Sequence, residues 1–260
     1  PRHPTMLETI FHIGSFELKT LTLLQLIALI ATAFVFWRRG REEHYAEAQL
    51  FDGFILSTVF GLLVGRLVFV VINWNNLDFN LLNWLDIWSK PGMNLEIGVI
   101  AAGIHLFRFA RSKKWDAFEV MDFWVSAISL GMVFLNLGYF LVFPSVFEKH
   151  HPTQLYAAGF YSGFYYYLNW LEYHYRTFEW YRAGKKTAET GFLLINYLVF
   201  VALFELLLDF ITPASVIIMG VAIDSLIHVA LLVFGLWLLL QRSHRALFSF
   251  SQKKFFAIKN

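Results

Sequence analysis

The chain has 260 residues, of which 58% are hydrophobic, 19% aromatic and only 15% charged. A soluble globular domain carries about 25% charge, so this composition excludes a water-soluble protein and points to the membrane. There is no cysteine, which excludes a disulfide framework or a thiolate site, and a net charge of +2 says less than where the charges lie.

The chain opens Pro-Arg-His-Pro without Met, and its first apolar run is long enough to span, which argues against a cleavable signal peptide. A span takes about 20 apolar residues. The first is predicted over Leu18–Trp37 and ends on Arg38, Arg39 and Arg41. The second, Asp52–Ile72, carries Gly61, Gly65 and Arg66; the glycines have the small-xxx-small spacing that lets helices approach closely. Residues 73–91 form an outer loop with Trp74, Trp84 and Trp88 among Asn75, Asn76, Asp78, Asn83 and Asp86. It reads as an interfacial aromatic segment or as an arm that grips a substrate.

The third span, Gly92–Phe109, has Glu96 near one end and His105 deeper, and runs out into Arg108, Arg111, Lys113 and Lys114. The fourth, Phe118–Val142, carries Asn136 and Tyr139 in its second half. The fifth, Pro152–Leu171, is opened by His151, Gln154 and Tyr156, holds the aromatic run 160–167, and is followed by Arg176, Arg182, Lys185 and Lys186. The sixth, Gly191–Phe210, contains Asn196, Tyr197 and Glu205, and the seventh, Ser215–Leu240, contains Asp224 and His228. A basic tail, residues 241–260, closes the chain with Arg242, Arg245, Lys253, Lys254 and Lys259.

The four basic junctions alternate along the chain and belong on the cytoplasmic side. The expected fold is therefore all-α: a polytopic membrane protein of seven transmembrane helices, N-terminus outside, C-terminus cytoplasmic. One membrane domain over residues 1–260 is expected, with no repeat and no separate soluble domain. Topology already explains the basic residues, so nucleic-acid binding has no support. No metal or cofactor is implied.

A charge at mid-bilayer costs about 2.5–3.5 kcal/mol, so Arg66 is expected to face the bundle interior within reach of Glu96, Glu205 or Asp224. That pairing is either a structural lock or part of a site. His105 and His228 read as satisfied packing residues, Asn136 and Asn196 as interhelical hydrogen-bonding groups, and the aromatic run as packing.

His151-Pro152-Thr153-Gln154-Leu155-Tyr156 is similar to the signature of the bacterial prolipoprotein diacylglyceryl transferases. The helix ending Gly65-Arg66-Leu67, the stretch Pro91–Gly98, the stretch Leu130–Phe140, the trio Tyr197, Val201 and Glu205, and the run Gly220–Leu238 resemble further family segments, in order and spacing. The resemblance implies transfer of the diacylglyceryl group of phosphatidylglycerol to the lipobox cysteine of a prolipoprotein, in a bacterial inner membrane. It implies His151, Glu96 and Tyr197 as catalytic candidates, and Arg66, Asn136, Tyr139, Gln154, Tyr156 and Glu205 as phospholipid-binding candidates. The sequence departs where Glu96 stands for the family's signature His, and Asn136 and Val201 for two arginines. Fixed cations on the phosphate carry much of such a reaction's electrostatic stabilisation. A non-catalytic lipid- or lipoprotein-binding protein, or a structural subunit of a membrane complex, is therefore the alternative.

Overall fold

The computed structural model describes residues 9–13, 16–73, 92–142, 151–182, 188–212, 217–218 and 221–243. The expected outer loop or arm (73–91) lies outside them beyond Asn73, as do Lys185, Lys186 and the tail beyond Ser243. Seven long helices account for most of the described chain. They are α1 (Thr20–Glu42), α2 (Glu47–Ile72), α3 (Leu95–Ser112), α4 (Ala117–Val142), α5 (Thr153–His174), α6 (Phe192–Asp209) and α7 (Ile223–Arg242). A 3₁₀ turn, Tyr175–Thr177, and one helical turn, Glu179–Arg182, follow α5. Two small antiparallel ribbons flank the helices: β1 (Thr9–Ile13) with β2 (Phe16–Lys19), and β3 (Ile217–Ile218) with β4 (Val221–Ala222).

Several helices outrun the apolar windows that predict them. α1 continues through Arg38–Glu42, and α2 begins at Glu47, five residues before the apolar stretch. Arg and Glu are good helix formers, and Arg38 and Glu42 form an i,i+4 pair at 2.9 Å. The seventh run is shortened instead: β3 and β4 occupy part of it, and the helix starts at Ile223 rather than Ser215. Five helices, α1, α2, α4, α6 and α7, are long and apolar enough to cross a membrane. They turn large apolar side chains outward, including Ile30, Phe34, Ile55, Leu63, Leu67, Val71, Leu207 and Val233, which suits helices whose solvent is lipid.

The pairs α1–α4, α2–α3 and α6–α7 pack antiparallel, and α4 is the central helix. It packs chiefly against α1 and α5 and also touches α3 and α6. Its buried Val120, Phe123, Trp124, Val125 and Ala127 lie in one core with Leu106, Tyr161, Leu168 and Leu193. α2 and α3 form a second close pair. A Cβ on Gly61 would stand 2.5 Å from the Gly98 carbonyl oxygen, so only glycine lets these backbones meet.

The end of the bundle where Arg39, Arg111, Arg176 and Arg242 gather is stapled by polar contacts. Arg39 is 6% exposed and reaches Glu172 at 2.8 Å and Asn169 at 2.7 Å, joining α1 to α5. Asp122 of α4 accepts from the backbone N–H groups of Gly191 (2.7 Å) and Leu194 (2.8 Å), capping the first turn of α6. Gly191 has φ +91°, a conformation that suits glycine. Arg242 lies 4.0 Å over the Phe118 ring and 3.5 Å from Glu189. In the α1–α2 link, Tyr45 donates to Glu119 at 2.6 Å. Burial and that carboxylate push the Tyr45 phenol above its ordinary value.

Two predictions follow from this packing. Gly61→Leu should lower stability by about 1–3 kcal/mol, read as a lower Tm in detergent. Gly159→Ala, where the added Cβ meets open space, should stay within about 0.5 kcal/mol. The second concerns base. A phenol whose folded-state pKa is raised binds its proton more tightly folded than unfolded. Its contribution is complete below the unfolded value of about 10 and is lost as pH rises through the folded one. Unfolding titrations above pH 10 should show a steeper fall in stability for the wild type than for Tyr45→Phe.

Candidate functional site

At the end opposite the arginine staples, polar residues from four helices meet. His228 of α7 is 6% exposed. Its Nδ1 lies 3.0 Å from Oδ2 of Asp209, the last residue of α6, and its Nε2 lies 3.1 Å from Oε1 of Glu96 in the first turn of α3. Glu205, one turn before Asp209, accepts from the Tyr161 hydroxyl at 3.3 Å and sits within electrostatic reach of His228, Glu96 and Asp209. Tyr197 is buried on the same face of α6, its ring 6.2 Å from Phe164 of α5.

Local sequence explains the placement. α3 begins at Leu95 because the Asn94 side chain accepts from the Ile97 N–H at 2.9 Å, an N-cap that fixes where Glu96 points. A carboxylate in a helix's first turn also faces its positive pole. α6 is registered at its other end by Asp122, and the stacked Phe160 and Phe204 rings, 4.0 Å apart, hold α5 against it next to Glu205.

Arg66 is buried, as expected, at 5% exposed. Its Nη1 donates to the Gly92 carbonyl at 2.7 Å, and its guanidinium lies 5.4 Å from the Phe69 ring centroid. Of the carboxylates expected near it, Glu96 contacts His228 and Glu205 takes the Tyr161 hydroxyl. A backbone carbonyl just before a helix can take an arginine N–H, and no sequence pattern announces that.

The remaining candidates have contacts of their own. His151 is exposed, and its ring lies 6.4 Å from Tyr156, which is 43% exposed on the first turn of α5. Gln154 is half-buried, 3.5 Å from the Thr153 hydroxyl. Asn136 donates to the Met132 carbonyl of its own helix at 2.8 Å, and Tyr139 lies against Gln25 of α1. His105 is the packing residue it was read to be, 2.9 Å from the Ser57 hydroxyl and stacked on Phe60. Asn196 accepts from Tyr167 across α5 and α6 at 3.1 Å.

His228 is buried between two carboxylates, and one of them, Asp209, is a residue the sequence does not single out. A histidine on an apolar helix reads as packing, and an aspartate at a helix end is ordinary. The signal lies in their meeting, which needs three helices. The arrangement puts the Glu96, Glu205 and Asp209 carboxylates, the His228 imidazole and, nearby in α2, the Arg66 guanidinium at the same end of the bundle. A carboxylate backed by an imidazole can take up and release protons, and a buried guanidinium can hold phosphate oxygens in pairs.

A family model described as prolipoprotein diacylglyceryl transferase matches residues 8–241. The phosphatidylglycerol–prolipoprotein diacylglyceryl transferase of Clostridium tetani is 21% identical over 154 residues, 52% of this chain and 61% of that protein. One from Clostridium perfringens is 24% identical over 114 residues, 43% of each chain. One from Streptococcus uberis is 19% identical over 251 residues, 90% of this chain and 95% of the relative. The chain thus matches less than two thirds of the length of the first two, and nearly all of the third. With a family match that runs almost end to end over a bundle of apolar helices, the chain belongs to the prolipoprotein diacylglyceryl transferase family and is a multi-pass membrane protein.

Proposed function

We propose that the chain sits in a bacterial inner membrane with seven spans, N-terminus outside, and transfers the diacylglyceryl group of phosphatidylglycerol to the lipobox cysteine of prolipoproteins. The observation that carries this reading is the family match over residues 8–241 together with a buried arginine, Arg66, at the end opposite the basic junctions. α3 and α5 complete the seven spans: each lies between apolar helices, and each ends in the basic residues that mark the cytoplasmic side. Both substrates reach the bundle from the outer leaflet, where Glu96, His151, Gln154, Tyr156, Tyr197 and Glu205 also lie in this orientation.

In this reading Arg66 holds the phosphate, since a guanidinium fork fits two phosphate oxygens. Asn136, Tyr139, Gln154 and Tyr156 line the path of the lipid, and Glu96, His151 and Tyr197 serve the thiol. The three carboxylates of the histidine cluster favour a second reading. They repel an anionic head group, and Asn136 and Val201 stand where the resemblance expects arginines. A protein that binds lipid or lipoprotein without transfer, or a structural subunit of a membrane complex, fits that balance.

Purified protein with phosphatidylglycerol and a lipobox peptide should yield thioether product, followed by mass. Arg66→Ala should cut the rate by about 100-fold or more, the scale of losing one charge-stabilising group. Asn136→Arg with Val201→Arg should raise it. Bound lipid without product from the wild type would favour the second reading, and product that survives Arg66→Ala would remove Arg66 from the phosphate. For topology, single cysteines at Ser112 and Ser145 should be labelled from opposite sides of the membrane, Ser145 from outside; labelling of both from one side would break the seven-span count.

A further inference from the structure

We propose that Asp209, His228 and Glu96 form a proton line, with Glu96 accepting the proton of the incoming thiol and His228 and Asp209 acting as its positioning residues. This rests on the transfer reading above. The order along the line comes from exposure. The Glu96 and Asp209 side chains are 32% and 24% exposed, whereas that of His228 is 7% exposed. A substrate at this end meets Glu96 before it meets the imidazole. His228 stands behind, with one ring nitrogen 3.1 Å from Glu96 and the other 3.0 Å from Asp209. A carboxylate on the far nitrogen fixes ring orientation and proton position, as in other carboxylate–imidazole pairs.

Among the described residues, the charged groups near the imidazole include Glu96 from α3, Asp209 and Glu205 from α6, and, on its own helix, Asp224 one turn earlier. Tyr161 of α5 engages Glu205. Glu205 is thereby tied to a hydroxyl, and of the two carboxylates on the ring Glu96 is the more exposed. The other histidine of α3, His105, turns to Ser57 and Phe60.

The step balances. The thiol S–H bond breaks and its proton moves to the Glu96 carboxylate. The thiolate sulfur bonds to the terminal glycerol carbon of the diacylglyceryl group. The bond from that carbon to the phosphate oxygen breaks, and the oxygen keeps the electron pair. Glycerol phosphate leaves and recovers the proton from Glu96. His228 faces the Glu96 carboxylate at 3.1 Å throughout and shares the charge.

The test uses the whole protein in phosphatidylglycerol nanodiscs, with a lipobox peptide, between pH 5 and 9. Glu96→Gln should lower kcat by about 100-fold, within the usual range for losing a proton-transfer group, and Glu96→Asp should keep part of the rate. His228→Gln and Asp209→Asn should each lower kcat by about 10-fold, leave KM for the peptide unchanged and displace the midpoint of the pH–rate profile. Unfolding is measured in parallel as a double-mutant cycle. Glu96→Gln and His228→Gln should each lower Tm by about 2–4 °C, and the double variant should fall no further than the worse single one. His228→Gln and Asp209→Asn with wild-type kcat and pH profile would overturn the line. So would additive Tm losses. A wild type that makes no product overturns the transfer reading and the proton-accepting role with it, and coupled Tm losses would then assign the trio to helix assembly alone.

Discussion

The Asp122 carboxylate sets the register of the site helix. It reaches from α4 to the exposed N–H groups at the start of α6, 2.7 and 2.8 Å from Gly191 and Leu194. Those groups have no partner within their own helix, and there is little water to satisfy them beside a buried core. Because α6 starts where Asp122 holds it, Tyr197, Glu205 and Asp209 follow at fixed heights and angles. The chain thus positions polar groups at one end of the bundle from an anchor at the other, some five turns away. Gly191 makes the anchor possible: its φ of +91° turns the chain into the helix in a conformation that suits glycine.

The two ends solve the same problem differently. A polar side chain among apolar helices must find a partner inside the protein. At the basic end the partners are complementary: Arg39 meets Glu172, Arg242 meets Glu189, and Tyr45 meets Glu119. At the other end Glu96 and Asp209 share the His228 imidazole, Glu205 takes a tyrosine hydroxyl, and Arg66 donates to a backbone carbonyl. The first arrangement fastens helices. The second leaves carboxylates at the rim, where a reacting group can meet them.

Much of the architecture is legible in the sequence because bilayer thickness dictates it: apolar runs of span length, separated by basic junctions, give the number and order of the long helices. The Gly61 and Gly65 spacing announces a close helix contact, and the structure supplies its partner in Gly98. The burial of Arg66 follows from cost alone. Its hydrogen bond to Gly92 does not, because that carbonyl is a feature of the chain's path and not of residue type. His228 was harder still. Its partners lie on α3 and at the last residue of α6, so no window along one helix contains the cluster, and an isolated histidine in an apolar run has no distinguishing pattern. The helix ends were read short for a related reason: hydropathy stops at Trp37 and starts at Asp52, while helix propensity carries on through Arg38–Glu42 and begins again at Glu47.

The pairing of α1 with α4 has a consequence for how the protein is made. α1 ends at Glu42, yet the helix it packs against most closely is complete only at Val142, about a hundred residues later. At ordinary synthesis rates of about 5–20 residues per second, α1 waits on the order of 5–20 s in the bilayer before its main partner exists. During that interval it must be stable as a lone helix, with every backbone group bonded internally and its surface in contact with lipid. Its outward Leu26, Leu29, Ile30 and Phe34 serve that solitary state as well as the finished bundle. The hairpin α2–α3, joined through glycines, is in place before α4 arrives and leaves α1's packing face to it.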